Sequence, residues 1–404
     1  METFGRFLLA AIVIEVSLGG GGRLVDVGSI TPRMVLFGLG VAYSVARLVR
    51  GERLPGEFTF LAAAFVALSG VSALVSVLED RPLLAAITDF KPLAFFLLLP
   101  FFAITIRNMR DVALVSKIWK ASALVLSVAY LVVMATWKLD FLTATQVIAW
   151  LNPTHDPGRE FYFRGETTFF FKAVLYVGIG VFFFSVEKGW LRYGALLILL
   201  LGIAITMTRG MWLFVFVVLA ARAIIYNSNR IKGAALAAVF LSVGVVGVVW
   251  INWALPSVAM SNAIRMDDGL ALKHMATGET LQLHEVLFGR GFGAAILGRQ
   301  TLEITYANVL YKQGVVGLFF WLLPAGYLIW KMRDIPRPEM RALAAPYLMA
   351  TAFVYAVSIT NPFLTNPIGM SVMMISMVAI RVIRESGGAG LPDPMRPPVV
   401  ACQR

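Results

Sequence analysis

Four arginines and three lysines carry most of the chemistry legible in this chain: Arg164, Arg209, Arg265, Arg290, Lys91, Lys172 and Lys312. A guanidinium stays charged and presents a rigid donor fork that fits phosphate oxygens two at a time. Several such groups in one pocket would neutralise a diphosphate and stabilise it as it leaves. Arg209 stands in Thr208-Arg209-Gly210, between two apolar runs with almost no loop, so its side chain must turn into a bundle or toward a pocket at its end. Arg164 directly precedes an apolar run, and Arg265 lies in a long polar segment. Arg290 lies in Gly289-Arg290-Gly291-Phe292-Gly293, whose glycines would let backbone approach a ligand and offer amides to an anion. An ordinary flexible loop is the plain alternative. Lys91, Lys172 and Lys312 fall about two turns inside apolar runs, Asp89 two residues before Lys91, and Glu15 near the end of the first run. A structural ion pair or a snorkelling side chain accounts for any one of them. Their shared depth points to function, because a charge near mid-bilayer costs at least about 2–3 kcal/mol. Lys117 and Lys120, at the opposite end of their run, read as snorkelling.

The candidates for proton transfer are fewer. Glu303, at the boundary of an apolar run, would be partly desolvated and suited to orienting or deprotonating a hydroxyl; a solvated loop carboxylate is its bland reading. His284 beside Glu285 is the other base. The three histidines, His155, His274 and His284, show no ligand spacing, and the Asp267-Asp268 pair has no partner carboxylate, so no metal is expected. Nucleotide-binding loops and the HExxH pattern are absent, so no cofactor is expected either.

The elements that must position these groups are membrane helices. Of 404 residues 59% are hydrophobic and 14% charged, with a mean hydropathy of +0.80, more apolar surface than a soluble chain tolerates. Apolar runs near 6–20, 32–49, 58–78, 83–105, 112–135, 166–186, 190–207, 210–227, 232–253, 304–330, 341–360 and 366–383 predict an all-α integral membrane protein of about twelve transmembrane helices. With the N-terminus inside, alternate short loops carry Arg47/Arg50/Arg53, Arg107/Arg110, Lys188/Arg192, Arg222/Arg230/Lys232, Lys331/Arg333/Arg337/Arg341 and Arg381/Arg384, which makes them cytoplasmic. The net charge of +12 is mostly this bias. Its scatter between spans excludes a nucleic-acid surface.

That orientation puts the unusual cations at the outer face, beside two long outer loops at about 136–165 and 254–303. Segment 141–151 has helical apolar spacing and would lie in the interface until Asn152–Pro157 breaks it. Residues 1–384 form one transmembrane domain, and 385–404, with the lone Cys402, read as a disordered cytoplasmic tail. No cleavage box follows the first run, which is expected to stay as an anchor. No internal repeat of the kind found in many transporters is evident. A transporter of lipid-linked glycans would place charges along a path through both leaflets; here they cluster outward, which favours an outward-facing enzyme.

Thr208-Arg209-Gly210, the loop His284-Glu285-Val286-Leu287-Phe288-Gly289-Arg290-Gly291-Phe292-Gly293, the segment from Glu303-Ile304-Thr305-Tyr306-Ala307-Asn308 to Lys312-Gln313-Gly314 and Gly317, and Asn361-Pro362 together resemble the O-antigen ligase and polymerase superfamily. The resemblance covers most of the chain in topology and about 164–366 in motif. It implies a GT-C-like, metal-independent, inverting glycosyltransferase of the bacterial inner membrane, with its active site facing the periplasm and both termini cytoplasmic. The substrate would be an undecaprenyl-diphosphate-linked oligosaccharide, and the partners membrane lipid and a protein that regulates chain length. Ligases carry a His-Asn pair where this chain has Ala307-Asn308, so the ligase reading loses its base unless His284 or His274 substitutes. Wzy-type polymerases more often show an acidic residue and a Lys-Gly step there, as Glu303 and Lys312-Gln313-Gly314 do, and the polymerase is favoured. The arginine-x10-glycine pattern of some polymerase loops is not matched from Arg164 or Arg265. On this reading Arg209, with Arg164, Arg265, Arg290, Lys91 and Lys312, holds the diphosphate, and Asn308 and Tyr306 contact substrate; apart from the resemblance, the loop 254–303 reads as a lid or an acceptor groove with Trp253, His274 and His284 as sugar-contacting candidates, or as plain structural cover.

Overall fold

The computed structural model describes residues 2–22, 30–151, 161–164, 167–255, 266–267, 269–270, 273, 282–296 and 298–388. Its helices are α1 (Glu2–Leu18), α2 (Pro32–Val49), α3 (Gly56–Leu78), α4 (Leu83–Leu93), α5 (Leu99–Thr105), α6 (Met109–Lys138), α7 (Ala144–Leu151), α8 (Val174–Ser185), α9 (Leu191–Ile205), α10 (Arg209–Tyr226), α11 (Arg230–Ala254), α12 (Leu283–Phe288), α13 (Thr305–Arg333), α14 (Pro338–Val357) and α15 (Pro367–Gly388). A 3-10 segment, Ala94–Leu98, joins α4 to α5. Among the described residues nine helical segments are long and apolar enough to cross a bilayer, Leu83–Thr105 counting as one. The apolar helices α8 and α9 are shorter, and α1 has 17 residues. Each of the twelve apolar runs thus finds a helix, nine of them of spanning length.

The exposure pattern requires lipid. α11 is apolar all round yet leaves Val239, Leu241, Val243, Val245, Val246, Val249 and Trp250 uncovered, a surface that only hydrocarbon solvates without cost. α15 is the opposite case: Met370, Met373, Met374, Ile375, Met377, Val378 and Ile380 are buried on every side, which places this helix at the centre. It packs against α14, α13, α5, α1 and α6. Small residues set the closest approaches, since a Cβ on Gly202 would lie 2.2 Å from Ser127 Oγ and one on Gly180 2.4 Å from Ala123 Cβ.

Three expectations change. The run near 166–186 does not begin as helix: β1 (Phe161–Arg164) pairs antiparallel with β2 (Thr168–Phe171), matching Phe161 with Phe171 and Phe163 with Phe169. Aromatic and Thr side chains favour the extended state and gain from cross-strand contact, so α8 starts only at Val174. Residues 385–388, expected in the tail, are helical, because α15 continues to Gly388 with Arg381 bonded to Glu385 one turn on at 2.8 Å; residues 389–404, Cys402 included, lie outside the described residues. Lys120 does not simply snorkel but pairs with Glu187. Lys117 is exposed. Within segment 141–151 a helix forms, α7, with Val147 buried and Trp150 exposed.

Candidate active site at one end of the bundle

Two spans break, and the breaks face each other. About ten residues into α13, Gly314 adopts φ 65°, ψ −165°, a conformation nearly reserved for glycine. A Cβ there would lie 2.4 Å from the backbone of Leu287. The break frees the carbonyls of Tyr311 and Lys312, which inside a membrane need new donors. Arg290 N supplies one at 2.9 Å and Gly291 N the other at 3.1 Å. α4 stops at the 3-10 segment that follows Pro92, a residue whose ring and missing N–H disturb a helix.

The glycine-rich loop 289–293 is what the breaks accommodate. Gly289, Gly291 and Gly293 all have positive φ. A Cβ on Gly289 would meet Lys312 C at 2.4 Å, and one on Gly291 would meet Ser76 N at 2.7 Å. Phe292 N donates to Ser72 O at 3.3 Å, Ser76 Oγ donates to Phe292 O at 2.6 Å, and Gly293 N donates to Asp89 Oδ2 at 2.7 Å. The loop is therefore stitched between α3, α4 and α13. Its four amides from Arg290 to Gly293 are spent on protein acceptors rather than offered to an anion, a correction to the reading of the glycines as an anion cradle.

The same loop organises the charges. Asp89 Oδ2 lies 2.6 Å from Lys312 Nζ, each side chain only 5% exposed, and Lys312 also donates to Gln300 O. Asp89 does not pair with Lys91, which is exposed on α4; positions i and i+2 of a helix do not face each other. Around the pair lies a cavity of about 200 Å³ whose walls include Thr88, Asn308, Gln313, Thr365 and Asn366. Gln313 Oε1 accepts from Trp321 Nε1 at 2.8 Å, Asn366 Oδ1 from Ile368 N at 3.1 Å, and Asn308 Oδ1 from Leu302 N at 3.4 Å. Beneath Gln313 the core is closed by buried rings: Phe65 to Phe96 at 4.9 Å, Phe96 to Phe320 at 5.5 Å and Phe96 to Trp321 at 5.8 Å.

Two arginines attach to the neighbouring turn. The β-hairpin is pinned to α6 by Tyr130 OH, which donates to Phe169 O at 2.9 Å, and to the end of α9 by Thr168 Oγ1, which donates to Ile205 O at 2.7 Å. Arg164 is thereby set against the α9 terminus, donating to Thr206 O and Met207 O, where the helix dipole favours a cation. Arg209, the first residue of α10, donates to Asn252 Oδ1 at 2.9 Å. Gly210 abuts Thr360, and Thr305 Oγ1 donates to Asn361 O at 3.0 Å. The arginine turn, the start of α13 and the cavity wall at Pro362, Thr365 and Asn366 thus form one end of the bundle.

The remaining predicted residues are spread around this end. Arg290 sits with Nε 3.2 Å from Glu285 Oε1 and its guanidinium 5.9 Å from the Tyr311 ring. His284, on α12, is exposed, and Glu303 is half-buried just before α13. Tyr306 donates to Tyr355 O at 2.7 Å, facing the packed core. Lys172 lies near the Tyr162 ring at the edge of a second, otherwise apolar cavity of about 140 Å³ under α7. Arg265, His274, Asp268 and His155 lie outside the described residues. Asp89, noted only as a neighbour of Lys91, was the residue missed as a wall of the site; the helical offset between positions 89 and 91 was the available signal. Away from this site, Glu15 takes part in a structural ion pair, with Arg33 at 2.9 Å, and Arg33 also donates to Gly20 O at 2.8 Å. Among the described residues no three His, Cys, Asp or Glu side chains gather as metal ligands would.

No family model matches the chain. It is 27% identical over 379 residues to a protein of Shigella flexneri named O-antigen polymerase, a match that covers 92% of this chain and 94% of that one. The resemblance read from the motifs therefore extends along nearly the whole multi-pass chain, well beyond positions 164–366.

Proposed function

We propose that this chain, a relative of the O-antigen polymerases, joins lipid-diphosphate-linked oligosaccharide repeat units into a longer glycan at the outer face of the bacterial inner membrane. The observation that carries the proposal is the position of two arginines at one turn, Arg164 bonded to its carbonyls at Thr206 and Met207 and Arg209 opening the helix that follows, beside a polar cavity that is closed from below. A hydroxyl of the acceptor glycan attacks the anomeric carbon of the donor, the bond to the diphosphate breaks, and the configuration inverts. Arg209 and Arg164, with Arg265 and Arg290 arriving from the second long loop, hold the undecaprenyl diphosphate as its charge develops. Glu303 orients or deprotonates the acceptor hydroxyl, with His284 the alternative base. No step draws on a metal or nucleotide. Lys91, exposed on α4, serves lipid phosphate rather than the reacting centre.

Transport of a lipid-linked glycan has one observation in its favour, since α4 and α13 break as transporter helices do. The ring layer of Phe65, Phe96, Phe320 and Trp321 stands against it by closing the cavity toward the opposite end. The ligase reading lacks a histidine at position 307, and exposed His284 lies off the cavity walls. Purified protein in detergent, given a polyprenyl-diphosphate oligosaccharide without metal or nucleotide, is expected to release polyprenyl diphosphate and build a ladder of lipid-linked multiples. Transfer that occurs only when lipid A core is added would mean ligase. Silence in both assays with glycolipid movement across liposomes would mean transport. Arg209→Glu is expected to lower the polymer rate at least about a hundredfold, as loss of one transition-state donor does; undiminished polymer length from a folded variant would remove the mechanism.

A further inference from the structure

We infer that the cavity between α4 and α13 is the subsite for the acceptor sugar, an uncharged ring, and that it is separate from the arginine turn that takes the diphosphate; this inference rests on the polymerase reading. Charge comes first. Among the described residues the only ionisable side chains in the cavity wall are Asp89 and Lys312, and they compensate each other at 2.6 Å. The walls present no net positive field to a diphosphate, so Lys312 does not serve the role its depth suggested.

Hydrogen-bond supply comes second. Asn308, Gln313 and Asn366 each commit the side-chain oxygen to a protein donor, which leaves three amide NH2 groups without a hydrogen-bond partner among the described residues. Asp89 takes both of its bonds on Oδ2, leaving Oδ1 as an acceptor. Sugar hydroxyls both donate and accept, and a wall of several donors, one charged acceptor and the hydroxyls of Thr301 and Thr365 matches them. The volume, about 200 Å³, is below that of a drug-sized site and suits one ring rather than a lipid diphosphate with its glycan. Because Trp321 closes the floor through Gln313, a chain enters end-on, and the terminal sugar is the unit that is read.

The test separates the two substrates. The donor is the polyprenyl-diphosphate oligosaccharide, and the acceptor is a glycoside of the repeat unit without diphosphate, which can accept but not donate. With wild-type protein, the free terminal monosaccharide is expected to compete with the acceptor and not with the donor, and inorganic pyrophosphate to do the reverse. Thr365→Leu and Thr301→Leu, which narrow the cavity without touching the ion pair, are expected to raise the acceptor KM at least about tenfold, the scale of a lost hydroxyl contact, with the donor KM unchanged. Pyrophosphate competing with the acceptor would overturn the inference, as would a rise in the donor KM alone or no change in either. A wild-type protein that makes no polymer from lipid-linked substrate would instead bring down the polymerase reading, and the inference with it. The monosaccharide and pyrophosphate arms use unaltered protein, so a misfolded variant cannot decide the outcome.

Discussion

Asp89 and Lys312 show how burial converts two single charges into one neutral unit. Each side chain is 5% exposed, so each alone would carry the desolvation cost of an unpaired ion, while the pair adds little net stability. Asp89→Asn or Lys312→Met is therefore expected to destabilise the protein by about 3–5 kcal/mol, and the double variant to recover most of that loss. Thermal unfolding followed by loss of monodisperse protein in detergent measures all three. A double variant as unstable as the sum of the singles would mean that the two groups act independently. Lys312 was legible from its depth in an apolar run, whereas its partner was not, because the contact joins residues more than 200 positions apart. The nearest carboxylate in sequence to Lys91 was Asp89, and that proximity misled: two residues along a helix turn a side chain to the far face. The arginines were legible for a different reason. A charge that cannot leave an apolar context needs a partner or a ligand, and Thr208-Arg209-Gly210 leaves too little chain to carry Arg209 away from the bundle.

At the scale of elements the breaks in α4 and α13 do the positioning. Gly314 holds a positive φ and lies against Leu287 and Gly289, so Gly314→Ala meets both a backbone penalty and a clash. It is expected to cost at least about 2 kcal/mol, and to weaken acceptor binding as the loop 289–293 loses its seat on Tyr311 and Lys312. Gly326, farther along α13, has open space around its Cβ position. Gly326→Ala is expected to be neutral or to stabilise by up to about 1 kcal/mol. Melting curves of the two variants side by side distinguish a required break from a general intolerance of α13 to substitution; equal losses would sink the assignment. Hydropathy made the spans legible because it sums over some twenty residues, and a single glycine hardly alters such a sum. The break was invisible for that reason. The second strand of the β-hairpin was hidden similarly, since Thr168–Phe171 is nearly as apolar as the helix it precedes and differs in backbone preference, whereas Phe161–Arg164, with its arginine, fell in the segment read as a long loop.

The whole molecule is asymmetric along its axis, and the proposed reaction depends on which end faces out. One end carries Arg47 and Arg107 on Glu52, Arg6 on Asp111 at 2.9 Å, and Arg381 and Lys331 around Glu57 at 3.5 and 3.7 Å. On the proposed orientation, the short loops rich in basic residues stay cytoplasmic, and the cavity, the arginine turn and α12 are expected on the other side. Lys188, in the short connection from α8 to α9, and His284, on α12, are both exposed and mark opposite ends. In a chain whose single cysteine, Cys402, is first replaced by serine, a membrane-impermeant maleimide is expected to label His284→Cys in intact cells at least about tenfold faster than Lys188→Cys, with the difference vanishing once the membrane is opened. The charge bias makes this a strong expectation, because reversing the chain would translocate every one of those arginine-bearing loops, each disfavoured by the same rule. Lys188→Cys labelling first would place the cavity on the cytoplasmic side, away from glycans already carried across the membrane. The arginine turn would then have to serve a substrate delivered from the cytoplasm, and polymerisation at the outer face would no longer be a possible use of this site.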